Sequence, residues 1–354
     1  MNPGQDVKKI LVINFGGIGD ILLSSPALRA LRKLYPQAHI AFLGVPRTNE
    51  LAKNLKVFDE LIPLGAYDEK QRSFYSGGVI LLIKLLVYLK NQKFDMAINM
   101  RTIVSWCGSL KMACLFFIIG SRYRVGRDTN GKGFFFNIKV PEKEPADRYE
   151  MDYDLETVRA LGADISDRSF NNDIFGTSGS SADAILEKNG MGPSDPFIVI
   201  NAGGMPSRRW PVENFITLSR DLILKLNCRI VLIGGTNEAV LSSRVKQSIG
   251  DRIIDLTGRL GLAELAAVLK KATLLITNDT GPMHIAAVLK TPLIAIFGGG
   301  QVTRFDPRRI SEKAVLLYKK ADCAPCNKME CRTLKCLKDV KVEDVREAVL
   351  QLLS

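Results

Sequence analysis

Three turns in this sequence carry groups able to do chemistry on a phosphorylated ligand. The first, Asn14-Phe15-Gly16-Gly17-Ile18-Gly19-Asp20, follows an apolar run and sets three glycines where backbone amides can approach an anion at the start of a helix. Counting from Gly17 gives Gly17, Gly19 and then Leu22, so a Gly-x-Gly-x-x-Gly dinucleotide fingerprint fails at its third glycine. A tight turn accounts for glycines but does not require a carboxylate, and Asp20 has the chemistry of a general base. In the second turn, Asn201-Ala202-Gly203-Gly204-Met205-Pro206-Ser207-Arg208-Arg209-Trp210-Pro211, two guanidinium groups sit beside a glycine-rich loop. Their fixed, permanently charged forks of donors suit phosphate oxygens, against the competing reading of a solvated basic loop. The third is Asn278-Asp279-Thr280-Gly281-Pro282-Met283-His284, where a strand ends in polar residues and Pro282 marks a helix start. Thr280, Gly281 and the next amides offer donors to an anion, while Asp279 can accept from sugar hydroxyls. His284, one of two histidines, reads equally as a structural residue on a helix.

Two further groups are weaker. Asp152-Tyr153-Asp154 could pass for an acidic pair that holds a divalent cation. Met151, Leu155, Val158 and Leu161 at helical spacing make it instead the acidic first turn of a helix, and no Mg2+ site follows. Cys323, Cys326, Cys331 and Cys336 supply four thiols within 14 residues, enough in number for a tetrahedral zinc site. Their spacing after the first pair is irregular for a zinc ribbon, so buried or oxidised thiols are the competing reading.

Parallel strands must position these turns. The run Lys8-Lys9-Ile10-Leu11-Val12-Ile13-Asn14 is continuously apolar at its centre, as in a strand buried on both faces. Ser25 before Pro26, followed by Leu28, Leu31 and Leu34, predicts the start of the next helix. Further strands are predicted at 39–43, 60–64 and 96–99, with helices near 49–54, 78–91 and 104–117. A Ser-, Gly-, Asn- and Asp-rich segment, 164–195, with Gly176-Thr177-Ser178-Gly179-Ser180-Ser181 in its middle, reads as a linker. Beyond it the alternation restarts: strands at 197–201, 229–233, 253–255, 274–278 and 293–297, and helices at 213–226, 237–249 and 262–271. The fold class is α/β, two doubly wound Rossmann-like domains facing across a cleft, residues 1–175 and 176–354, the final helix being able to pack back on the first domain. Ligands of such sheets sit at the carboxyl ends of strands, where the glycine-rich turns fall.

The 354 residues carry 49 Lys and Arg against 37 Asp and Glu, a formal charge of +12, which points to anionic partners. No nucleic-acid module is recognisable. A short polar N-terminus without an apolar signal segment and the crowding of four of seven cysteines predict a reducing, cytoplasmic location. The apolar stretches 79–89 and 112–119 fall short of the ~18 residues a spanning helix requires. They are expected to be core helices of the first domain. The competing reading rests this surface, with Arg122, Arg124 and Arg127, on an anionic inner membrane as a peripheral contact.

Taken together, these motifs closely resemble those of glycosyltransferase family 9, the ADP-heptose:lipopolysaccharide heptosyltransferases. The resemblance covers nearly the whole chain: Gly-Gly-Ile-Gly-Asp with its Pro-Ala-Leu helix, Arg-Trp-Pro, Gly234-Gly235-Thr236-Asn237-Glu238, Asn-Asp-Thr-Gly-Pro-Met-His and the late Cys-Ala-Pro-Cys. It implies a GT-B fold, acceptor on the N-terminal domain and nucleotide sugar on the C-terminal one, and an inverting transfer that uses no metal or other cofactor. The implied donor is ADP-heptose and the implied acceptor a lipid-anchored lipopolysaccharide inner-core precursor. By position Asp20 would be the general base, with Gly17 and Gly19 lining the cleft and His284 in a supporting place. Arg208 stands where the family usually has Lys and would contact donor phosphate, Glu238 the nucleoside ribose, Asp279 the transferred sugar, and Thr280 and Gly281 the diphosphate. The alternatives are a GT-B transferase for another sugar nucleotide or acceptor, and a non-catalytic nucleotide-sugar-binding protein.

Overall fold

The computed structural model describes residues 3–4, 6–64, 67–68, 73–74, 78–176, 181–192, 194–326 and 328–353. Its contacts divide the chain into two compact units, Met1–Ile174 and Phe175–Ser354. Unit 1 holds β1 (Lys9–Asn14), α1 (Ile18–Leu34), β2 (His39–Gly44), α2 (Asn49–Asn54), β3 (Glu60–Pro63), the hairpin strands β4 (Tyr67–Asp68) and β5 (Ser73–Phe74), α3 (Gly78–Asn91), β6 (Met96–Asn99), α4 (Trp106–Ile119), β7 (Tyr123–Thr129), β8 (Ile138–Glu142) and α5 (Glu150–Arg159). Unit 2 holds α6 (Ala182–Glu187), β9 (Phe197–Asn201), α7 (Val212–Leu226), β10 (Arg229–Leu232), α8 (Ala239–Ile249), β11 (Ile253–Asp255), α9 (Leu262–Lys271), β12 (Leu274–Asn278), α10 (Gly281–Leu289), β13 (Leu293–Phe297), α11 (Val302–Phe305), β14 (Ala314–Tyr318), α12 (Lys335–Lys338) and α13 (Val342–Leu353).

The two main sheets have one plan. Each is six-stranded and parallel, in the orders β3-β2-β1-β6-β7-β8 and β11-β10-β9-β12-β13-β14. Helices on the faces of a parallel sheet take both sides of its central strands out of water. Accordingly Ile10 to Ile13 in β1 and Leu274 to Ile276 in β12 are fully buried. The strand order reverses direction between β1 and β6 and again between β9 and β12. Those reversal points are where the turns after neighbouring strands diverge and leave room for a ligand.

Several elements differ from the sequence expectation. Helix α1 begins at Ile18, with Gly17 as its N-cap, and Pro26 lies inside it. The start signal is Asp20 at the third helical position, whose side chain bonds back to the Gly17 amide. That bond outweighs the Ser25-Pro26 pair, and both of those residues are buried. Within the segment read as linker, Ser181 caps α6, which packs on α9; residues 177–180 of the Gly-Ser run lie outside the described residues. The polar strand β7, which contains Gly126, Arg127 and Asp128, gave no apolar run to detect, and β8, β14 and α12 were likewise not anticipated. Helix α13 packs on α7, β13 and β14 of its own unit.

Candidate active site

In unit 1 the turn after β1 is built around a carboxylate. Asn14 Oδ1 accepts the Gly16 amide at 2.9 Å and folds the chain back. A Cβ on Gly16 would come within 2.5 Å of the Asp20 Cβ and Oδ2, so Asp20 itself demands glycine there. The Gly17 amide donates to Asp20 Oδ2 at 2.7 Å, and Arg101 Nη1 holds Asp20 Oδ1. Arg101 arrives because β6 pairs with β1, Ile13 beside Asn99, and the chain passes Arg101 two residues beyond that strand. Asn99 Nδ2 donates to the Arg101 carbonyl at 2.6 Å. The Asp20 side chain keeps 19% of its surface open, so its carboxylate is oriented from behind yet reachable.

Behind this pair lies a buried ionic cluster. Arg101 Nη1 is 3.5 Å from Glu150 Oε1, and the same oxygen accepts Arg127 Nη1 at 3.0 Å. Arg127 also donates to Glu142 Oε1 at 3.2 Å and, through Nη2, to Asp154. Asp154 Oδ2 is 2.7 Å from Ser24 Oγ, which is 2.8 Å from the Asp20 carbonyl oxygen, so the chain of contacts returns to Asp20. Burial works against the Arg127 charge, but Asp154, Glu150 and Glu142 outweigh it and raise its pKa. Burial pushes the Asp154 carboxyl up; Arg127 pulls against it, and Glu150 adds to the rise. The segment 152–154 does lie at the start of a helix, with Asp152 in its first turn, but Asp154 lies beyond that turn in the interior; and Arg127, fully buried, does not fit the competing reading that set it against a membrane.

Unit 2 repeats the device with two asparagines. β9 and β12 are paired, Thr277 beside Asn201, and end side by side in Asn201 and Asn278, both buried. Asn201 accepts the Gly203 amide at 3.0 Å and donates to Thr280 Oγ1 at 3.0 Å. Asn278 donates to the Gly203 carbonyl at 2.8 Å and accepts the Trp210 amide at 3.0 Å. Trp210 anchors the far end of the loop in the core, its indole donating to the Val340 carbonyl at 2.9 Å. The Glu238 carboxylate accepts the Gly235 amide at 2.8 Å and the Gly204 amide as well. A Cβ on Gly203 would fall 2.1 Å from that carboxylate.

Arg208 Nη1 donates to Asp279 Oδ2 at 2.8 Å; their side chains are 18% and 5% exposed. Its Nε is buried and meets no hydrogen-bond partner among the described residues. Arg209 is turned the other way, its Nε donating to the Gly204 carbonyl at 2.6 Å. Thr280 is the N-cap residue of α10, but its hydroxyl faces Asn201 and Thr277 rather than a helix amide. Asp279, Thr280 and the start of α10 therefore gather beside one guanidinium, an arrangement suited to an anion. His284 lies in the buried part of α10, edge-on to Phe305 at 5.9 Å between ring centroids.

The structure thus brings Asp20, Gly17 and Gly19 together in unit 1, and Arg208, Glu238, Asp279, Thr280 and Gly281 in unit 2. Of the cysteines, Cys336 is buried and the Cys326 amide bonds the Gly299 carbonyl at 2.8 Å. Among the described residues no three His, Cys, Asp or Glu side chains converge as a metal-binding group. Sequence reasoning missed Arg101, although its place just past a strand adjacent to β1 was a usable signal.

A sequence profile of glycosyltransferase family 9 (heptosyltransferase) matches residues 82–337. The chain belongs to glycosyltransferase family 9. One relative, lipopolysaccharide heptosyltransferase 2 of Escherichia coli, is 26% identical over 308 residues, 82% of each chain. The structure of ADP-heptose lipopolysaccharide heptosyltransferase II of Escherichia coli superposes with a TM-score of 0.71 at 20% identity, covering 98% of each chain. That of a family 9 glycosyltransferase from Veillonella parvula gives 0.74 at 23% identity, covering 100% of this chain and 98% of the other. These likenesses show the fold, two doubly wound α/β units in one chain, the GT-B class. As a family 9 member the protein is a glycosyltransferase.

Proposed function

We propose that this enzyme transfers heptose from ADP-heptose to a lipid-anchored lipopolysaccharide inner-core precursor, with inversion and without a metal ion, on the cytoplasmic face of the inner membrane. Unit 1 binds the acceptor and unit 2 the nucleotide sugar. The acceptor hydroxyl attacks the anomeric carbon from the face opposite the diphosphate. As that C–O bond forms, the bond to the diphosphate breaks, ADP leaves with the electron pair, and Asp20 takes the hydroxyl proton. The carrying observation is the Asp20 carboxylate itself, fixed by the Gly17 amide and Arg101 while remaining reachable. Charge that grows on the departing ADP is offset by Arg208 and the amides at the start of α10. Glu238 takes the ribose hydroxyls and Asp279 the transferred sugar, where their present partners already hold their carboxylates in place. The names of the Escherichia coli relatives support the donor and the acceptor class.

The test is to incubate the protein with ADP-heptose and a panel of truncated core acceptors, following ADP release and product mass. Transfer to one acceptor class, abolished by Asp20→Asn, supports the reading. Binding of ADP-heptose without transfer to any acceptor would reduce the protein to a nucleotide-sugar-binding role.

A further inference from the structure

The sequence expectation that α3 and α4 are core helices holds for one face only: Leu89 of α3 and Ala113, Phe116 and Ile119 of α4 are in the core of unit 1, and the other faces are open. On α3 only Gly78 and Leu89 are buried, and Val79, Ile80, Leu81, Ile83 and Val87 stand in solvent. Helix α4, packed on α3, exposes Trp106 at 59% and Phe117 at 61%, with Leu110 between them. Phe134, on the loop that α4 touches through Ser109 and the Lys132 carbonyl, adds to the same area. Among the described residues, every exposed large apolar side chain of unit 1 lies on α3, on α4 or on the loops adjoining α4. Soluble surfaces rarely gather so many side by side.

Charge identifies what covers them. Neither helix contains an acid, and between residues 78 and 127 the sole acidic residue is Asp95, which accepts the Lys8 and Lys9 amides at 2.8 and 2.9 Å. The cations of the same stretch that lie outside the Asp20 site and its buried cluster are Lys84, Lys90, Lys93, Lys111, Arg122 and Arg124. Two of the aromatic rings are flanked by cations: Lys132 Nζ lies 6.0 Å from the Trp106 ring and the Arg124 guanidinium 5.5 Å from that of Phe117. Apolar side chains with an aromatic residue and a cationic border match the boundary of a bilayer that carries anionic headgroups. A second copy of the chain fits poorly, because pairing this face with itself would set cations against cations with no acid to meet them. Each helix is 14 residues long, and no described helix is long and apolar enough to cross a membrane.

We infer that the α3–α4 face is a docking surface for an anionic phospholipid leaflet, with α3 and α4 lying in the interface. This deepens the proposed function by naming the surface that meets the membrane, and it is measured without sugar transfer, so it can fail while that reading stands. Trp106 is a built-in reporter, since the other tryptophan, Trp210, is buried in unit 2. The full-length protein is mixed with vesicles of phosphatidylglycerol and phosphatidylethanolamine, or of phosphatidylcholine alone, and bound fractions are separated by flotation. We expect binding to the anionic vesicles, a blue shift of Trp106 emission, and quenching by brominated acyl chains. Lys84→Gln with Lys111→Gln, both on exposed positions, should weaken binding by at least about tenfold with an unchanged melting temperature. Absence of binding overturns the inference, as does binding with Trp106 unquenched or with the double variant unaffected. A concentration-dependent blue shift without vesicles, with sedimentation as a dimer, would assign the face to a second copy and overturn it equally.

Discussion

Ser24 places one hydroxyl between two acceptors, the Asp20 carbonyl oxygen at 2.8 Å and Asp154 Oδ2 at 2.7 Å. A hydroxyl has a single proton to give. If Ser24 gives it to the carbonyl one helical turn back, the second contact is a hydrogen bond only when Asp154 brings a proton of its own. The buried setting leads to the same state. The carboxyls of Glu142, Glu150 and Asp154 crowd one guanidinium, that of Arg127, and Asp154 is the carboxyl whose pKa burial raises. A neutral Asp154 lets Arg127 serve Glu142 and Glu150, and leaves the helix under Asp20 fully bonded.

The first prediction concerns pH. Because the folded pKa of Asp154 is raised to about 7, above the ordinary carboxylate value, the native state holds this proton more tightly than the unfolded chain does. The stability it contributes is complete at acid pH below the ordinary value and is lost as pH rises through about 7. Asp154→Asn mimics the protonated acid, its amide donating to Ser24 and its oxygen accepting from Arg127. Urea midpoints of both proteins from pH 5 to pH 8 should show the wild type losing ground to the variant as pH rises. Parallel curves would contradict the protonated assignment.

For Asp20 the discriminating change is Asp20→Asn. The amide oxygen can still accept the Gly17 amide, so α1 keeps its cap and the protein should fold. Turnover should fall by about 10² to 10⁴, the usual contribution of a general base, with near-normal ADP-heptose binding. Wild-type turnover would return Asp20 to a purely structural part.

Arg101 acts through Asp20 and is a positioning residue. Arg101→Ala should lower kcat by about tenfold or more while leaving donor KM nearly unchanged, since a carboxylate displaced by an ångström loses its line to the hydroxyl. Arg101→Lys should restore part of the loss, because a lysine can still reach one carboxylate oxygen. An equal fall in both variants together with a lowered melting temperature would mark the residue as structural.

Arg208→Ala should reduce turnover by about tenfold or more, the scale of a removed charge-stabilising donor. Arg209→Ala should do less, its guanidinium being turned toward the Gly204 carbonyl. The reverse order, read from steady-state kinetics of the two variants, would exchange their roles.

What the sequence made legible follows from physical range. The apolar runs of β1, β9 and β12 and the glycine-rich turns after them are local signals, and they located Asp20, Arg208, Glu238, Asp279 and Thr280 near the ends of strands. Arg101 is 81 residues from Asp20 and meets it only because β6 lies beside β1. No local pattern encodes that adjacency. Arg127 is hidden for another reason: a charged residue in a polar strand looks solvated until the three carboxylates that neutralise it are brought together from β8 and α5. The helices α3 and α4 were legible as core on one face alone, because an apolar composition reports how apolar a helix is and not which of its faces is covered.

Gly203 and Glu238 carry a consequence for how this sequence can change. The carboxylate occupies the volume a methyl group on residue 203 would need, so Gly203→Ala alone must displace Glu238 from the Gly204 and Gly235 amides. With Glu238 shortened to alanine, all the atoms that close approach involves are gone, and the same methyl group is admitted. The two positions are therefore epistatic: the glycine is intolerant of substitution only while the acid is present. Saturation mutagenesis at residue 203, repeated in a Glu238→Ala background, should show a site nearly closed in the first library and permissive in the second.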